Sequence, residues 1–233
     1  MNILPANLPK ERYYWLLGVC FSKVTYLKHR YARFTWDTDE KFVKQVASIF
    51  RIGPRLYMCI EESEKFGFHF PQRFRDYRSF FSNRGIIPGK EKRKFPEIPN
   101  NQIRHFIRGY FDAQSSIFKE ERRRNPRISI HFSNRSFGKK FVNILFQNGI
   151  YKRERDIELD KLIELYKTRR RKSWETKLQG INIYKFYKLI YWHPYPITFR
   201  LRVKKDFDEM IGNLKIEEID LKIKLINPKV NFI

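Results

Sequence analysis

The sequence predicts an α+β body made by internal duplication: helix, two strands, helix, two strands, helix, and then the same order again. Three observations predict it. Two apolar helical segments each carry a glycine in the middle of the apolar face, Gly18 and Gly109. A mid-helix glycine costs about 1 kcal/mol against alanine, so close approach of a second helix backbone is the reason to keep one there. After each of these helices the apolar period switches from helical to alternating and back. Finally, Phe137, Phe141, Ile144 and Leu145 are spaced as Phe42, Val46, Ile49 and Phe50 are. A repeated order of this kind implies a pseudo-two-fold molecule.

Residues 1–9 read as a short arm in which Pro5 and Pro9 bracket the approach to a helix over 10–21, where Tyr14, Leu17, Gly18 and Phe21 share a face. Strands follow at 24–27 and 31–36, with Lys28, His29 and Arg30 in the turn. Asp37 is the expected cap of the next helix, with Glu40 completing a capping box. Phe42, Val46, Ile49 and Phe50 give that helix its apolar face, and Gly53-Pro54 ends it. A second hairpin is expected at 56–60 and 66–70, then a helix over 73–84 with Phe74, Tyr77, Phe80 and Phe81 inward. Gly85 suits the residue after that helix, because it takes a positive φ without steric cost.

Pro88, Pro96 and Pro99 keep the next stretch extended. Asn100 or Asn101 is the expected cap of the second glycine helix, over 101–112, with Ile103, Phe106, Ile107, Tyr110 and Phe111 on one face. Strands at 117–118 and 128–132 flank the basic run KEERRRNPR, and Ser136 opens a helix that Asn148-Gly149 ends. Strands at 159–166 and 174–178 flank TRRRK, a helix at 181–192 stops at HPYP, and a last helix spans 197–213. The expected division is therefore a first half at 1–87, a basic proline-containing link at 88–99, a second half at 100–213 and a charged-then-apolar tail at 214–233.

Lys and Arg number 49 against 25 Asp and Glu, giving a net charge of +24 and a pI near 10.1. Such an excess repels itself unless a polyanion balances it, so nucleic acid is the expected partner and a membrane surface the weaker alternative. No apolar run approaches the roughly 18 residues of a membrane span. Cys20 and Cys59 give no disulfide framework or zinc constellation and read as buried free thiols. The five His show no ligand spacing, and no Ser/His/Asp set, P-loop or G-x-G-x-x-G is present. The N-terminal run MNILPANLPKERYYW reads neither as a signal peptide nor as a transit helix. Phe, Ile, Lys, Tyr and Asn abound, all with A/T-rich codons, which fits an organellar gene and makes the mitochondrion the expected compartment.

The basic residues cluster. Lys28 and Arg30 form one group, Lys90, Lys92, Arg93 and Lys94 a second, Arg122, Arg123, Arg124 and Arg127 a third, and Arg169, Arg170, Arg171 and Lys172 a fourth. Three lie at predicted hairpin tips and one in the link. A single run of this kind is ordinarily a solvated face. Four of them on a chain of +24 predict a phosphate-binding surface. On the strands, Arg33, Thr35, His69, Ser129 and His131 are candidates to read base edges.

The run PEIPNNQIRHFIRGYFDAQSSI resembles the second signature motif of the LAGLIDADG homing endonucleases in its "FIRGYFDGDGSI" form, and YYWLLGVCFSK resembles a degraded first copy. The resemblance implies two motif helices packed at a central axis through Gly18 and Gly109. It also implies a curved antiparallel sheet from each half, the pair forming a saddle: a duplicated αββαββα fold. The family holds divalent metal between two carboxylates, one at the foot of each motif helix. Here those positions are Lys23 and Gln114, and Ser115 stands where Gly is usual. A Lys ammonium ~4 Å from a divalent ion would cost about 8 kcal/mol at an effective dielectric of about 20, and Gln offers a carbonyl oxygen without charge. Asp112 is expected to be a helix-terminal hydrogen-bonding residue. Glu61, Glu62, Glu64, Glu120 and Glu121 are expected to be solvated strand-end charges rather than metal ligands.

The resemblance thus implies a nucleic-acid-binding protein that has lost cleavage and needs no cofactor. As an isolated chain it is expected to be monomeric. Structured RNA, intron or ribosomal, is favoured over double-stranded DNA, with ribosomal or other ribonucleoprotein subunits as further partners. The alternative is a site-specific endonuclease that cuts double-stranded DNA with Mg2+ on displaced carboxylates.

Overall fold

Two helices with no long exposed face form the middle of the molecule. A computed structural model of the protein describes residues 4–5, 7–27, 31–71, 75–118, 126–151, 162–167, 172–191 and 199–212. In it α1 (Lys10–Lys23) buries residues 15–22 without a break, and α4 (Ile103–Gln114) buries residues 105–113. The sequence predicts one apolar face for each. Burial on all sides follows because each helix is covered by the other and also by its own half. The contact between them is the most extensive between any two described elements.

The glycines explain how close that contact is. A Cβ on Gly18 would lie 2.1 Å from the Phe106 carbonyl oxygen, and one on Gly109 would lie 1.9 Å from that of Trp15. Trp15 and Phe106 each stand three residues before their own glycine, so the crossing is symmetric. The two backbones touch where neither helix has a side chain.

Each half then repeats one topology. In the first, β1 (Val24–Leu27), β2 (Tyr31–Asp37), α2 (Glu40–Ile49), β3 (Tyr57–Ile60), β4 (Lys65–His69) and α3 (Arg75–Ser82) follow α1. In the second, β5 (Ser115–Phe118), β6 (Arg127–Phe132), α5 (Arg135–Gln147), β7 (Glu164–Lys167), β8 (Lys172–Gln179) and α6 (Ile181–Tyr191) follow α4, and α7 (Leu201–Gly212) is added. The strand orders are β1-β2-β4-β3 and β5-β6-β8-β7, antiparallel throughout, and the two sheets form a saddle. The inner faces are aromatic. Phe34 stacks on Phe68 in the first half, and Tyr110 stacks on Phe132 and Phe137 in the second. The face expected of α2 is buried, as is that of α5.

Local expectations are corrected at four places. The cap of α2 is Asp39, whose carboxylate accepts from the Phe42 amide at 3.0 Å, not Asp37. The pairing of β2 with β4 slips between Phe34 and Asp37, so the alternation of faces is broken there and Asp37 is buried among charged partners instead. Asn100 and Asn101 make no cap. They form a 3-10 turn, closed by the Gln102 amide on the Pro99 carbonyl at 2.8 Å, that leads into α4 at Ile103. α5 begins one residue before Ser136, because the Asn134 side chain accepts from the Phe137 amide at 2.7 Å. Cys20 is buried as expected, but Cys59 is exposed on β3, an edge strand with a half-open pattern. Gly85 does close α3 at φ +78°, with its amide on the Ser82 carbonyl.

No helix among the described residues is long and apolar enough to cross a membrane. The expected helix start at 73–74, the strand residues 159–161, the HPYP break and the tail at 214–233 lie outside the described residues.

Candidate functional site

The feet of α1 and α4 lie side by side, and polar groups from four parts of the chain meet there. A helix end leaves its last four carbonyls without intrahelical partners. In α1 all four are taken. The Cys20 carbonyl accepts from the Val24 amide, Phe21 from Arg93 Nη1 at 2.7 Å, Ser22 from the Lys90 ammonium, and Lys23 from the Thr35 hydroxyl at 2.7 Å. Arg93 Nη2 also reaches the Val24 carbonyl at 2.7 Å, and its Nε reaches that of Ile87 at 3.1 Å. The link is anchored in turn by Asn134, whose amide donates to the Arg93 carbonyl at 2.7 Å.

Two residues expected to meet phosphate are therefore structural. Arg93 is buried, and burial pulls its pKa down to about 10. Lys90 sits on a helix carbonyl. Cations suit this position because the carbonyl end of a helix is its negative pole. From the same run, Lys92 and Lys94 stay exposed.

Lys23 and Gln114 are the last residues of their helices, as expected of the foot positions. Neither is open. Lys23 Nζ lies 2.7 Å from Asp37 Oδ2, and Gln114 Oε1 accepts the Ser22 hydroxyl at 2.7 Å. Asp37 also pairs with the Arg200 guanidinium, which extends to Asp39 Oδ2 at 3.0 Å and to the Asp112 carbonyl at 3.2 Å while stacking on Phe42. Burial by itself would raise the Asp37 pKa, but Lys23 and Arg200 outweigh it and hold the carboxyl below its ordinary value.

A divalent cation between these feet is what the motif resemblance implies, and the residues do not fit it. The carboxylate beside Lys23 is already neutralised by two cations, and the one amide oxygen on offer is engaged. Among the described residues no group of three or more His, Cys, Asp or Glu side chains is placed to hold a metal.

Asp112 lies one turn-step above, fully buried. Its oxygens accept from Trp15 Nε1 at 2.8 Å, from the Tyr191 hydroxyl and from the Arg200 amide at 3.0 Å. Burial pushes its pKa up to about 6 even so, against the pull of those donors and of Arg108. It ties α1, α4, α6 and the start of α7 together, the hydrogen-bonding role expected of it.

The outer faces of the two sheets carry the polar rows. Thr25, Arg33 and His69 align across β1, β2 and β4, with Arg33 Nε 3.4 Å from Thr25 Oγ1. Ser116, Ser129 and Lys177 align across β5, β6 and β8, with Phe118, Arg127 and Gln179 in the next row on that face. Between those rows Ile128 and Leu178 point into the core. Of the base-edge candidates, Arg33, His69 and His131 remain at least partly accessible. Ser129 is buried and Thr35 donates to the foot of α1, so both are withdrawn from the face. His131 is half-buried, which lowers its pKa against the opposing effect of Glu175, 3.8 Å away.

Lys28, Arg30, Arg122, Arg123, Arg124, Arg169, Arg170 and Arg171 lie outside the described residues, and of Lys172 only the backbone at the start of β8 is described. Sequence reasoning passed over Arg200, Asp37 as an ion-pair partner, Ser22 and Lys177. Only Ser22 carried a signal, as the neighbour of a motif position.

Residues 101–191 match the family model of a LAGLIDADG-like domain. Among solved structures, the I-LtrWI LAGLIDADG homing endonuclease bound to target DNA superposes with a TM-score of 0.51 at 12% identity, covering 96% of this chain and 99% of that chain. The meganuclease I-SmaMI bound to uncleavable DNA gives 0.44 at 10% identity over 78% and 85%. The homing endonuclease I-WcaI bound to its DNA recognition sequence gives 0.42 at 14% identity over 84% and 89%. No curated protein matches the chain.

Proposed function

We propose, for a chain whose residues 101–191 match the model of a LAGLIDADG-like domain and whose fold is like that of a LAGLIDADG homing endonuclease, a role in binding nucleic acid without cleaving it. The observation that carries the loss of cleavage is the state of the two helix feet. Lys23 is paired with Asp37, and Gln114 is hydrogen-bonded to Ser22. Binding is supported by the charge of +24, by the polar rows on the outer sheet faces and by the DNA seen on I-LtrWI.

The preferred target is structured RNA, intron or ribosomal, over double-stranded DNA. The support is the density of Lys and Arg and the basic runs at 122–127 and 169–172 in the sequence. Ribonucleoprotein subunits are the further partners in this reading, and an organelle, the mitochondrion foremost, is the compartment.

The test is to recover the protein from its source at gentle salt and sequence the nucleic acid that accompanies it. One enriched structured RNA supports the proposal. A defined DNA locus, cut by the purified protein with magnesium, would replace it with a site-specific endonuclease.

A further inference from the structure

The outer face of the second sheet carries a feature that phosphate contact does not use. Phe118, at the end of β5, is 40% exposed. Pairing sets it opposite Arg127, and Arg127 opposite Gln179, so the three side chains lie on one face of three adjacent strands. The Arg127 guanidinium carbon is 4.8 Å from the Phe118 ring centroid, a cation–π contact. Its Nε is buried and has no hydrogen-bond partner among the described residues. Gln179 is exposed and brings an amide with both donors and an acceptor.

A paired duplex shows a protein base edges and backbone, on which a phenyl ring gains little. An unpaired base shows its π face, and aromatic rings and guanidinium planes are the surfaces on which such bases stack. We propose that Phe118 and Arg127 form a stacking platform for one unpaired nucleobase, with the Gln179 amide at that base's edge. The proposal rests on the nucleic-acid-binding reading above and deepens it: the target carries a bulged or single-stranded nucleotide where it meets the second sheet.

The experiment uses the full chain and two RNA hairpins of identical stem, one with a single bulged 2-aminopurine and one fully paired. The expected result is tighter binding of the bulged hairpin, with quenching of its fluorescence. Phe118→Ala should abolish the preference, a loss of roughly tenfold on the bulged probe, and leave the paired probe and the melting temperature unchanged. Phe118→Leu should fail in the same way, and Phe118→Trp should restore the preference. Equal binding of the two hairpins by the parent protein, or a preference that survives Phe118→Ala, overturns the platform while nucleic-acid binding stands. Failure to bind either hairpin at low salt overturns both.

Discussion

Asp112 shows how one side chain is bound by several constraints at once. Its oxygens hold three donors, from α1, from α6 and from the residue before α7, and burial raises its pKa to about 6. A carboxyl whose folded pKa is raised binds its proton more tightly in the native state than when unfolded. Its contribution to stability is therefore greatest below about pH 4, falls as the pH climbs towards 6, and is flat above. A rise of about two units corresponds to about 3 kcal/mol. Asp37 runs the other way: its lowered pKa gives stability that is present at neutral pH and lost in acid. Asp112→Asn keeps the shape, with the new amide facing the Tyr191 hydroxyl, and removes the titration. Denaturant melts of parent and variant should coincide near pH 4 and separate by up to about 3 kcal/mol in the variant's favour at pH 7. Parallel curves would refute the assignment. Asp112→Ala strands three donors and should destabilise by about 3 kcal/mol or more at pH 4.

At the scale of elements, the molecule depends on how α1 meets α4 and on how α1 ends. Gly109→Ala places a methyl group 1.9 Å from the Trp15 carbonyl oxygen, and only separation of the helices relieves it. A thermal melt should show a loss exceeding about 3 kcal/mol, beyond the usual range for overpacking. The helix end gives a second prediction. Arg93→Met leaves the Phe21, Val24 and Ile87 carbonyls without their donor and should lower stability by about 2–4 kcal/mol. Lys92→Met with Lys94→Met should stay within about 0.5 kcal/mol of the parent, since both are exposed. These two cases also mark what the sequence can disclose. Gly109 was legible because a glycine inside a helix has a local cost that only a distant contact explains. Arg93 was not, because four cations within five residues read alike and only the fold decides which one turns inward. Asp37 was misread for a related reason: Asp-x-x-Glu has the form of a capping box, and a slip of register in β2 reassigns it.

For the whole molecule, the duplication was legible from period and spacing, and among the described residues both sheets and helices α1 to α6 follow its order, with α7 added. The foot of the helices was legible in identity, Lys23 and Gln114, but not in its wiring. Arg200 reaches Asp37 across the two halves, and no local pattern announces so remote a partner. The net charge yields the prediction that belongs to this scale. Affinity for nucleic acid should fall steeply and linearly with salt on logarithmic axes. The slope should shrink by about one for each phosphate that the protein no longer neutralises, as with Lys92→Ala or Lys94→Ala. Nucleic acid bound by the protein should stay uncut with magnesium as with EDTA. Magnesium-dependent breakage would show that the paired Lys23 and Asp37 do not preclude chemistry.

The sealed end of α1 has a bearing on whether the halves can be parted. A molecule with two matching halves invites the thought that the two, made as separate chains, would reassemble. Here the join is no longer a tether. Arg93 completes a helix of the first half, and its carbonyl is held by Asn134 of the second. A break before Arg93 strips the first product of that donor, and a break after it removes the covalent hold that keeps Arg93 beside Asn134. With this residue buried, each half depends on an unbroken join between them.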